Sequence, residues 1–376
     1  MTGAGAIPPH LAVALDGAGW HPAAWREPAA RPAELFTARY WADLVAEAER
    51  GLLDLVTFED SFSPQSGTHG RTDRVRGRLD ATLTAAALAP QTSGIGLVPT
   101  IITTHTEPFH IAKAIATLDY ASTGRAGVLV RPSAARSDAE HVGRRPELVR
   151  DAPDEALVAD LFAEADDYVE VVRRLWDSWE DDAEIRDAAT GRFIDSGKLH
   201  HIDFAGRWFS VKGPSITPRP PQGQPPVFAE LTNLADADSV YRFADVVFTT
   251  SSDTEAFADR VPHVFGDLVV FLDDTPGAAA DRLARLDDLA GEPFTSDAAV
   301  FTGTPSALAE QLLAWQAAGL TGFRLRPGAL PHDLEGITRG LVPDLQARGL
   351  FRRVYENETL RDRLGLPWPA NRYADT

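Results

Sequence analysis

Short apolar segments alternate with amphipathic helical patterns along the whole chain, and this alternation constrains the fold more than any other feature. Nearly continuous apolar strands separated by helices are typical of a parallel sheet covered by helices, so we expect an α/β protein. Eight strands are predicted, at residues 10–16, 53–59, 95–102, 126–131, 226–231, 245–250, 268–272 and 322–326. Eight such units favour a closed (β/α)8 TIM barrel.

An open doubly wound sheet is the alternative to the barrel. A dinucleotide-binding sheet of that kind needs the pattern G-x-G-x-x-G after its first strand. The sequence "GAGWHP" at residues 17–22 has the first two glycines and lacks the third. The closed barrel is therefore the preferred prediction.

One region interrupts the regular alternation of strands and helices. Residues 181–222 are rich in glycine and proline and contain two short alternations of polar and apolar residues, which predict a hairpin. The region is too long for an ordinary loop, so we predict an insertion before the fifth strand, either a lid or a surface embellishment. The whole chain, residues 1–376, is predicted to be a single barrel domain that contains it.

Composition excludes several classes of partner. The formal charge of −19, from 36 basic and 55 acidic residues, repels phosphate backbones and anionic lipids, so neither nucleic acid nor membrane is expected as a partner. The N-terminal sequence lacks the pattern of a signal peptide. Cysteine is absent, and the expected compartment is the cytoplasm. The ten histidines are scattered without ligand spacing, so no metal site is predicted.

Polar residues follow most of the predicted strands. A barrel brings the carboxyl ends of its strands together at one face, where active sites lie. The residues at these ends include Asp16, Glu59, Asp60, Thr103, Thr104, His105, Arg131, Ser133, Glu230, Arg324 and Arg326. The convergence of both signs of charge predicts a polar site at the barrel mouth.

Two of these residues have alternative interpretations. Arg131 follows a buried strand directly, so it either binds an anion at the mouth or forms an ion pair with Asp60 or Glu230. His105 is either a proton donor in the mouth or a solvated loop histidine. We select His105 and Arg324 as candidate catalytic residues.

Four segments carry a resemblance to a known family. They are "TLDYASTGRAG"; "DDYVEVVRRLWDSWEDDA" with "HIDFAGRWFSVKGP" and "PPQGQPPVF"; "GTPSALAEQLLAWQAAGLTGFRL"; and the tail "LVPDLQARGLFRRVYENETLRDRLGLPWPANRY". Together they resemble the bacterial luciferase-like flavin monooxygenases, in the nitrilotriacetate monooxygenase-like branch. With the strand pattern, the resemblance spans nearly the whole chain.

The resemblance implies a barrel that binds reduced FMN delivered by a separate NAD(P)H-dependent flavin reductase. Such an enzyme uses oxygen to oxygenate a small organic substrate, and its relatives suggest a homodimer or homotetramer. The cofactor would supply the chemistry, while the protein holds it and excludes water. Candidate cofactor-binding residues are Asp60, Thr103, Thr104, Arg131, Ser133, Thr232 and Asn233, and candidate aromatic walls are Trp20, Trp25, Phe62 and Trp208.

The sequence departs from the branch at three places that normally hold the flavin. Leu129 replaces an asparagine, Val158 and Phe162 replace a histidine and a tyrosine, and Leu231 replaces a glycine. Glu230 adds negative charge where a phosphate should rest. Either Arg131 compensates as an anion ligand, or the flavin is held weakly as a passing substrate.

These departures leave two further functions open. A deazaflavin-dependent oxidoreductase is one, because relatives of the barrel use that cofactor and its longer phosphate tail needs a different cradle. The other is a barrel that has lost flavin binding and acts as a binding or structural protein. We expect the flavin-dependent monooxygenase.

Overall fold

The computed structural model describes residues 8–65, 71–149, 154–231, 237–250, 260–356 and 358–374. Eight parallel strands form its centre: β1 His10–Leu15, β2 Leu55–Phe58, β3 Gly96–Ile102, β4 Val128–Arg131, β5 Val227–Leu231, β6 Val246–Thr249, β7 His263–Leu272 and β8 Gly322–Pro327. Each strand pairs with the next, and β8 pairs with β1. The ring is therefore closed, which confirms the predicted (β/α)8 barrel.

Helices surround the barrel in the order that the sequence predicts. They are α1 Ala38–Arg50, α2 Ala81–Leu88, α3 Pro108–Ser122, α4 Arg136–Val142, α5 Glu155–Asp177, α6 Ala237–Phe243, α7 Pro276–Ala290, α8 Pro305–Ala317, α9 His332–Gly336, α10 Val342–Ala347 and α11 Leu360–Arg363. A π-helical turn, Ile337–Leu341, joins α9 to α10. Single 3₁₀ turns include Ala24–Arg26, Pro32–Glu34, Ala89–Gln91, Thr103–His105, Pro146–Leu148 and Ser196–Lys198.

The predicted strand list was wrong at β7. This strand begins at His263, five residues earlier than predicted, and Gly266 and Asp267 interrupt its apolar pattern. A further strand, Ala299–Gly303, pairs in parallel with its second half and was not predicted. This added strand is partly exposed, so it lacks the continuous apolar pattern of a buried strand.

The lower half of the barrel interior is apolar. Side chains that point inward from the strands include Ala12, Leu55, Val98, Leu129, Phe228, Phe248 and Phe265, all buried. Leu360 of α11 and Leu364, the residue after this helix, join this layer, and Leu360 lies against Gly96 at the start of β3. The C-terminal segment therefore closes the barrel at the amino ends of its strands, leaving the opposite end as the mouth.

The insertion at residues 181–222 contains two short antiparallel pairs rather than one hairpin. Glu184–Asp187 pairs with Arg192–Ile194, and Phe204–Ala205 pairs with Ser210–Val211. Contacts with α5 hold it in place, because Phe209 packs edge-on to Tyr168 and Arg219 pairs with Asp177 at 3.0 Å. Its function as a lid remains a prediction.

We predict that Leu360→Ala destabilises the chain by about 2–5 kcal/mol, because it leaves a cavity beneath the closed end of the barrel. Leu83→Ala is the matched control, since Leu83 on α2 is 71% exposed. Urea unfolding measures both variants. Equal effects of the two substitutions would contradict the closing role of α11.

Candidate functional site

A cluster of charged side chains fills the barrel interior between the apolar layer and the mouth. Its members are Glu59, Arg131, Glu230, Asp267, Arg324 and Arg326. Asp297, whose side chain is 62% exposed, pairs with Arg326 from outside the barrel. Arg131 donates through Nε and Nη2 to the two carboxylate oxygens of Glu230, at 2.8 and 2.7 Å. Its Nη2 also lies 2.8 Å from Glu59 Oε2. Of the two predicted roles for Arg131, the structure shows the ion pair.

Arg324 connects the two halves of this cluster. Its Nη2 donates to Glu230 at 2.8 Å, its Nε donates to Asp267 at 3.1 Å, and its guanidinium lies 4.0 Å from the centre of the Phe248 ring. Arg326 also donates to Asp267, at 3.0 Å. Arg324 is therefore a buried member of the network rather than an exposed side chain at the mouth.

The cluster stays charged at neutral pH. Burial by itself raises the pKa of Glu230, but the adjacent guanidinium groups of Arg131 and Arg324 lower that pKa far below its usual range. Burial lowers the pKa of Arg131, yet Glu230 and Glu59 raise it well above the ordinary value. Each charge therefore depends on its opposite partners.

Among the described residues, several buried polar atoms near the mouth have no hydrogen-bond partner. They are Thr57 Oγ1, Glu59 Oε1, Thr100 Oγ1, Thr103 Oγ1, both ring nitrogens of His105, and Arg324 Nη1. They come from β2, β3 and β8 and the turn after β3. Arg324 Nη1 and Glu59 Oε1 face each other at 3.8 Å, an ion pair too long for a hydrogen bond. Buried polar groups usually find a partner, so this set is suited to bind ordered water or a polar ligand.

His105 is buried rather than solvated. It ends the 3₁₀ turn Thr103–His105, is 7% exposed, and stands edge-on to the ring of Phe62 at 5.9 Å. Burial lowers the pKa of His105, and the nearby Asp138 carboxylate acts in the opposite direction. The imidazole is therefore neutral at pH 7, with one donor and one acceptor nitrogen unused.

Three predicted cofactor-binding residues are occupied by local hydrogen bonds. The Ser133 amide donates to Thr104 Oγ1 at 2.9 Å, and the Ser133 hydroxyl donates to Asp138 at 2.7 Å. Asp60 accepts from the amides of Ser61 and Ala81 at 2.7 and 2.9 Å, at the start of α2. Burial raises the pKa of Asp60, while these two amides lower it. These three side chains support the mouth structurally.

The remaining predicted positions fall into two groups: residues outside the described structure and residues buried in the packing. Thr232 and Asn233 lie outside the described residues. Val158 and Phe162 are buried within the packing of α5, and Leu129 belongs to the apolar layer below the charged cluster. The side chains that replace the expected flavin ligands of the branch are therefore used for packing.

Arg324 and Arg326 converge on the carboxylate of Asp267, a site residue that was not predicted. The sequence does contain a signal for this residue, because residues two apart on a strand face the same side of the sheet. Arg324 and Arg326 therefore share one face of β8 and need a carboxylate partner there. Asp267 lies opposite Arg324 in the register of β7 and β8.

A cavity of about 260 Å³ opens at the mouth beside the end of β1. Its walls include Trp20 and Trp25, two of the predicted aromatic positions, together with Asp16, His21 and Arg74. Among the described residues, no group of three or more potential ligands is arranged to hold a metal ion.

Comparison with known proteins shows extended similarity. A family model described as luciferase-like monooxygenase matches residues 18–265. The chain is 31% identical to N-acetyl-S-(2-succino)cysteine monooxygenase of Bacillus subtilis, covering 97% of this chain and 98% of the relative. It is also 31% identical to nitrilotriacetate monooxygenase component A of Aminobacter aminovorans, covering 95% and 96%.

Solved structures share the fold. EDTA monooxygenase from Chelativorans sp. BNC1 superposes with a TM-score of 0.81 at 23% identity, covering 96% of this chain and 98% of that structure. An F420-dependent secondary alcohol dehydrogenase superposes with a TM-score of 0.60 at 15% identity, covering 90% and 99%. The architecture is therefore shared with a barrel that is named for the cofactor F420.

We predict that Glu230→Gln lowers the free energy of unfolding by about 3–5 kcal/mol at pH 7, because Arg131 and Arg324 lose a shared buried carboxylate. Since the folded pKa of Glu230 is depressed, its contribution is present above the unfolded pKa of about 4.3 and is lost as the pH falls below it. Urea unfolding between pH 7 and pH 3 should show the wild-type and variant values converging in acid.

The matched control is Glu310→Gln, at an exposed carboxylate 3.9 Å from Arg348. Little change in stability is expected there. A Glu230→Gln variant as stable as this control at pH 7 would show that the buried network does not hold the barrel together.

Proposed function

The chain belongs to the luciferase-like monooxygenase family, and we propose that it is the oxygenase component of a two-component system using reduced FMN. Family membership confirms the predicted resemblance and the predicted class of enzyme, a flavin-dependent monooxygenase for small organic molecules. We further propose that a separate NAD(P)H-dependent flavin reductase supplies the reduced flavin. When bound, the flavin supplies the reaction with oxygen, and the protein orients the reactants and excludes water.

The observation that carries the proposal is the set of unpartnered buried atoms at the ends of β2, β3 and β8. The polar edge of an isoalloxazine offers both carbonyl acceptors and an N–H donor. Arg324 Nη1 and the Thr103 hydroxyl can donate to such an edge, and Glu59 Oε1, which lies 3.8 Å from Arg324 Nη1 without a hydrogen bond, can accept from it. The donor set at the mouth therefore fits the ring system of a flavin.

The phosphate of FMN fits the described residues less well. Arg131 is occupied by two carboxylates, and Val158, Phe162 and Leu231 stand where the branch has polar or small residues. Glu230 also places negative charge at this end of β5. We propose that the chain holds FMN mainly through the ring and releases it readily.

We propose His105 as the residue that moves a proton at the mouth. Its imidazole is neutral, buried and without a partner at either nitrogen, so it can donate or accept a proton once a reactant reaches it. Phe62, which is partly exposed, stands against this ring and must move aside for a ligand to reach it. Arg324 is proposed to contribute through its unused Nη1.

The proposal also includes an oligomeric state and a cellular compartment. Within the part of the chain that the structure describes, no helix combines the length and apolar character needed to cross a bilayer. We propose a homodimer or homotetramer in the cytoplasm, with neither nucleic acid nor membrane as a partner. Sedimentation velocity of the purified chain distinguishes these assemblies from a monomer.

The activity is tested by mixing the chain with FMN, NADH, a flavin reductase and a panel of small organic acids, sulfides and amines under ¹⁸O₂. The expected result is one labelled oxygen atom in a product that forms only when all components are present. A deazaflavin-dependent enzyme would instead bind and use the reduced deazaflavin. Failure to bind either cofactor would support the binding or structural alternative.

We predict that His105→Leu weakens the binding of reduced FMN roughly tenfold, the factor for one lost hydrogen bond of about 1.4 kcal/mol. The same change should leave the ligand-free chain equally stable or more stable, because it removes buried polar atoms that have no partner. Anaerobic titration and thermal unfolding measure the two effects. His201→Leu, at an exposed histidine in the insertion, is the control and should change neither.

We predict that riboflavin and FMN bind with affinities within about threefold of each other, because Arg131, the cation predicted for the phosphate, is held by Glu230 and Glu59. A phosphate held by charge-assisted hydrogen bonds would add at least about tenfold to the affinity of FMN. Parallel fluorescence titrations with the two flavins compare them directly. A large preference for FMN would contradict the prediction, because it would require a cation or amide group that holds the phosphate.

A further inference from the structure

The cavity beside β1 is small and has aromatic walls. Its volume is about 260 Å³, and Trp20, Pro22, Trp25 and Val75 give it apolar surface. Sites for drug-sized ligands are usually about 300–1,000 Å³, so this cavity suits a compact molecule. Planar indole walls favour an apolar or aromatic body in the ligand.

Arg74 is the cationic side chain of this cavity, and it is only partly engaged. Its side chain is 16% exposed, and its Nη2 pairs with Glu292, a carboxylate that is itself 56% exposed. The Nε of Arg74 is buried and has no hydrogen-bond partner among the described residues. Because arginine binds a carboxylate best through two parallel N–H donors, half of this fork is unused in the ligand-free chain.

The other polar groups of the cavity are already engaged. Asp16 pairs with Arg78 at 2.8 Å, and Gln65 exchanges hydrogen bonds with the Gly77 backbone at 2.8 and 3.1 Å. His21 contacts Asp287 through Nε2 at 3.0 Å. Burial lowers the pKa of His21, although Asp287 opposes this shift, so it adds no charge at neutral pH. Arg74 is therefore the cation available to a ligand among the described residues that line the cavity.

The cavity adjoins the reactive face of the barrel. Arg326 lies 5.7 Å from the centre of the Trp20 ring, and Arg326 belongs to the buried cluster through Asp267. Asp16 follows the last residue of β1 at the mouth. A ligand in the cavity would therefore lie beside the strand ends where the flavin is proposed to bind.

We propose that this cavity binds the substrate as a small organic carboxylate with an apolar body, and that Arg74 determines this specificity. The assignment of the ligand as substrate rests on the proposed function. The carboxylate would complete the Nε and Nη2 fork of Arg74 and displace the exposed Glu292, while the apolar part would lie between the two indoles. No bond forms or breaks in this binding step.

The test uses phenylacetate and its neutral isostere phenylacetamide, titrated by calorimetry into the purified full chain without flavin. Phenylacetate should bind at least about tenfold more tightly than the amide, as expected for one charge-assisted hydrogen-bonded pair. In Arg74→Gln this preference should disappear. In Arg74→Lys, which keeps the charge and loses the fork, it should be reduced but present.

Arg76→Gln is the matched control, because this substitution removes the same charge from a nearby residue. Arg76 is exposed and does not line the cavity. It should retain the full preference for the acid. Thermal unfolding of each variant shows that it is folded. A structural role for Arg74 alone would change stability and leave the ratio between acid and amide unchanged.

Equal affinity for acid and amide in the wild type, no binding of either at millimolar concentration, or an equal loss in Arg76→Gln would overturn the proposal. Because these titrations contain no flavin, their outcome is independent of the flavin-dependent activity. A chain that binds phenylacetate but no flavin would retain the carboxylate site and lose the proposed function.

Discussion

The carboxylate of Glu230 is the interaction on which the upper half of the barrel depends. It receives both donors of the Arg131 fork and one from Arg324, and thereby joins strands β4, β5 and β8 across the interior. A barrel interior is normally filled with branched apolar residues. In this barrel, paired charged side chains occupy the interior above the apolar layer. Each buried charge is stable only while its partners remain in place.

This charged cluster determines which side chains at the barrel mouth are already paired and which can contact a ligand. Because Arg131 is held by Glu230 and Glu59, it is not free for a phosphate. Among the described residues, the same packing leaves Arg324 Nη1, Thr103 Oγ1 and the His105 ring nitrogens without hydrogen bonds. This supports the proposal that the chain holds a flavin by its ring while the usual means of holding its phosphate is weakened. A freely exchanging flavin is compatible with a system in which a second protein performs the reduction.

Much of the fold could be predicted from the sequence, because strands buried on both faces carry continuous apolar patterns that need no knowledge of their neighbours. The strand Ala299–Gly303 was missed because it is half exposed and depends on β7 for its pairing. The site was less predictable. The spacing of Arg324 and Arg326 shows a shared face, but their convergence on Asp267 depends on barrel closure between distant residues. Burial of His105 likewise follows from Phe62, more than forty positions earlier in the chain.

The most direct measurement is a crystal structure of the chain soaked with FMN. The account predicts that Arg131 remains paired with Glu230 and that the isoalloxazine edge contacts the unpartnered groups at Thr103, His105 and Arg324. An Arg131 guanidinium turned away from Glu230 and bound to the phosphate would contradict it, because the buried cluster would then be a cofactor site rather than the frame that supports one.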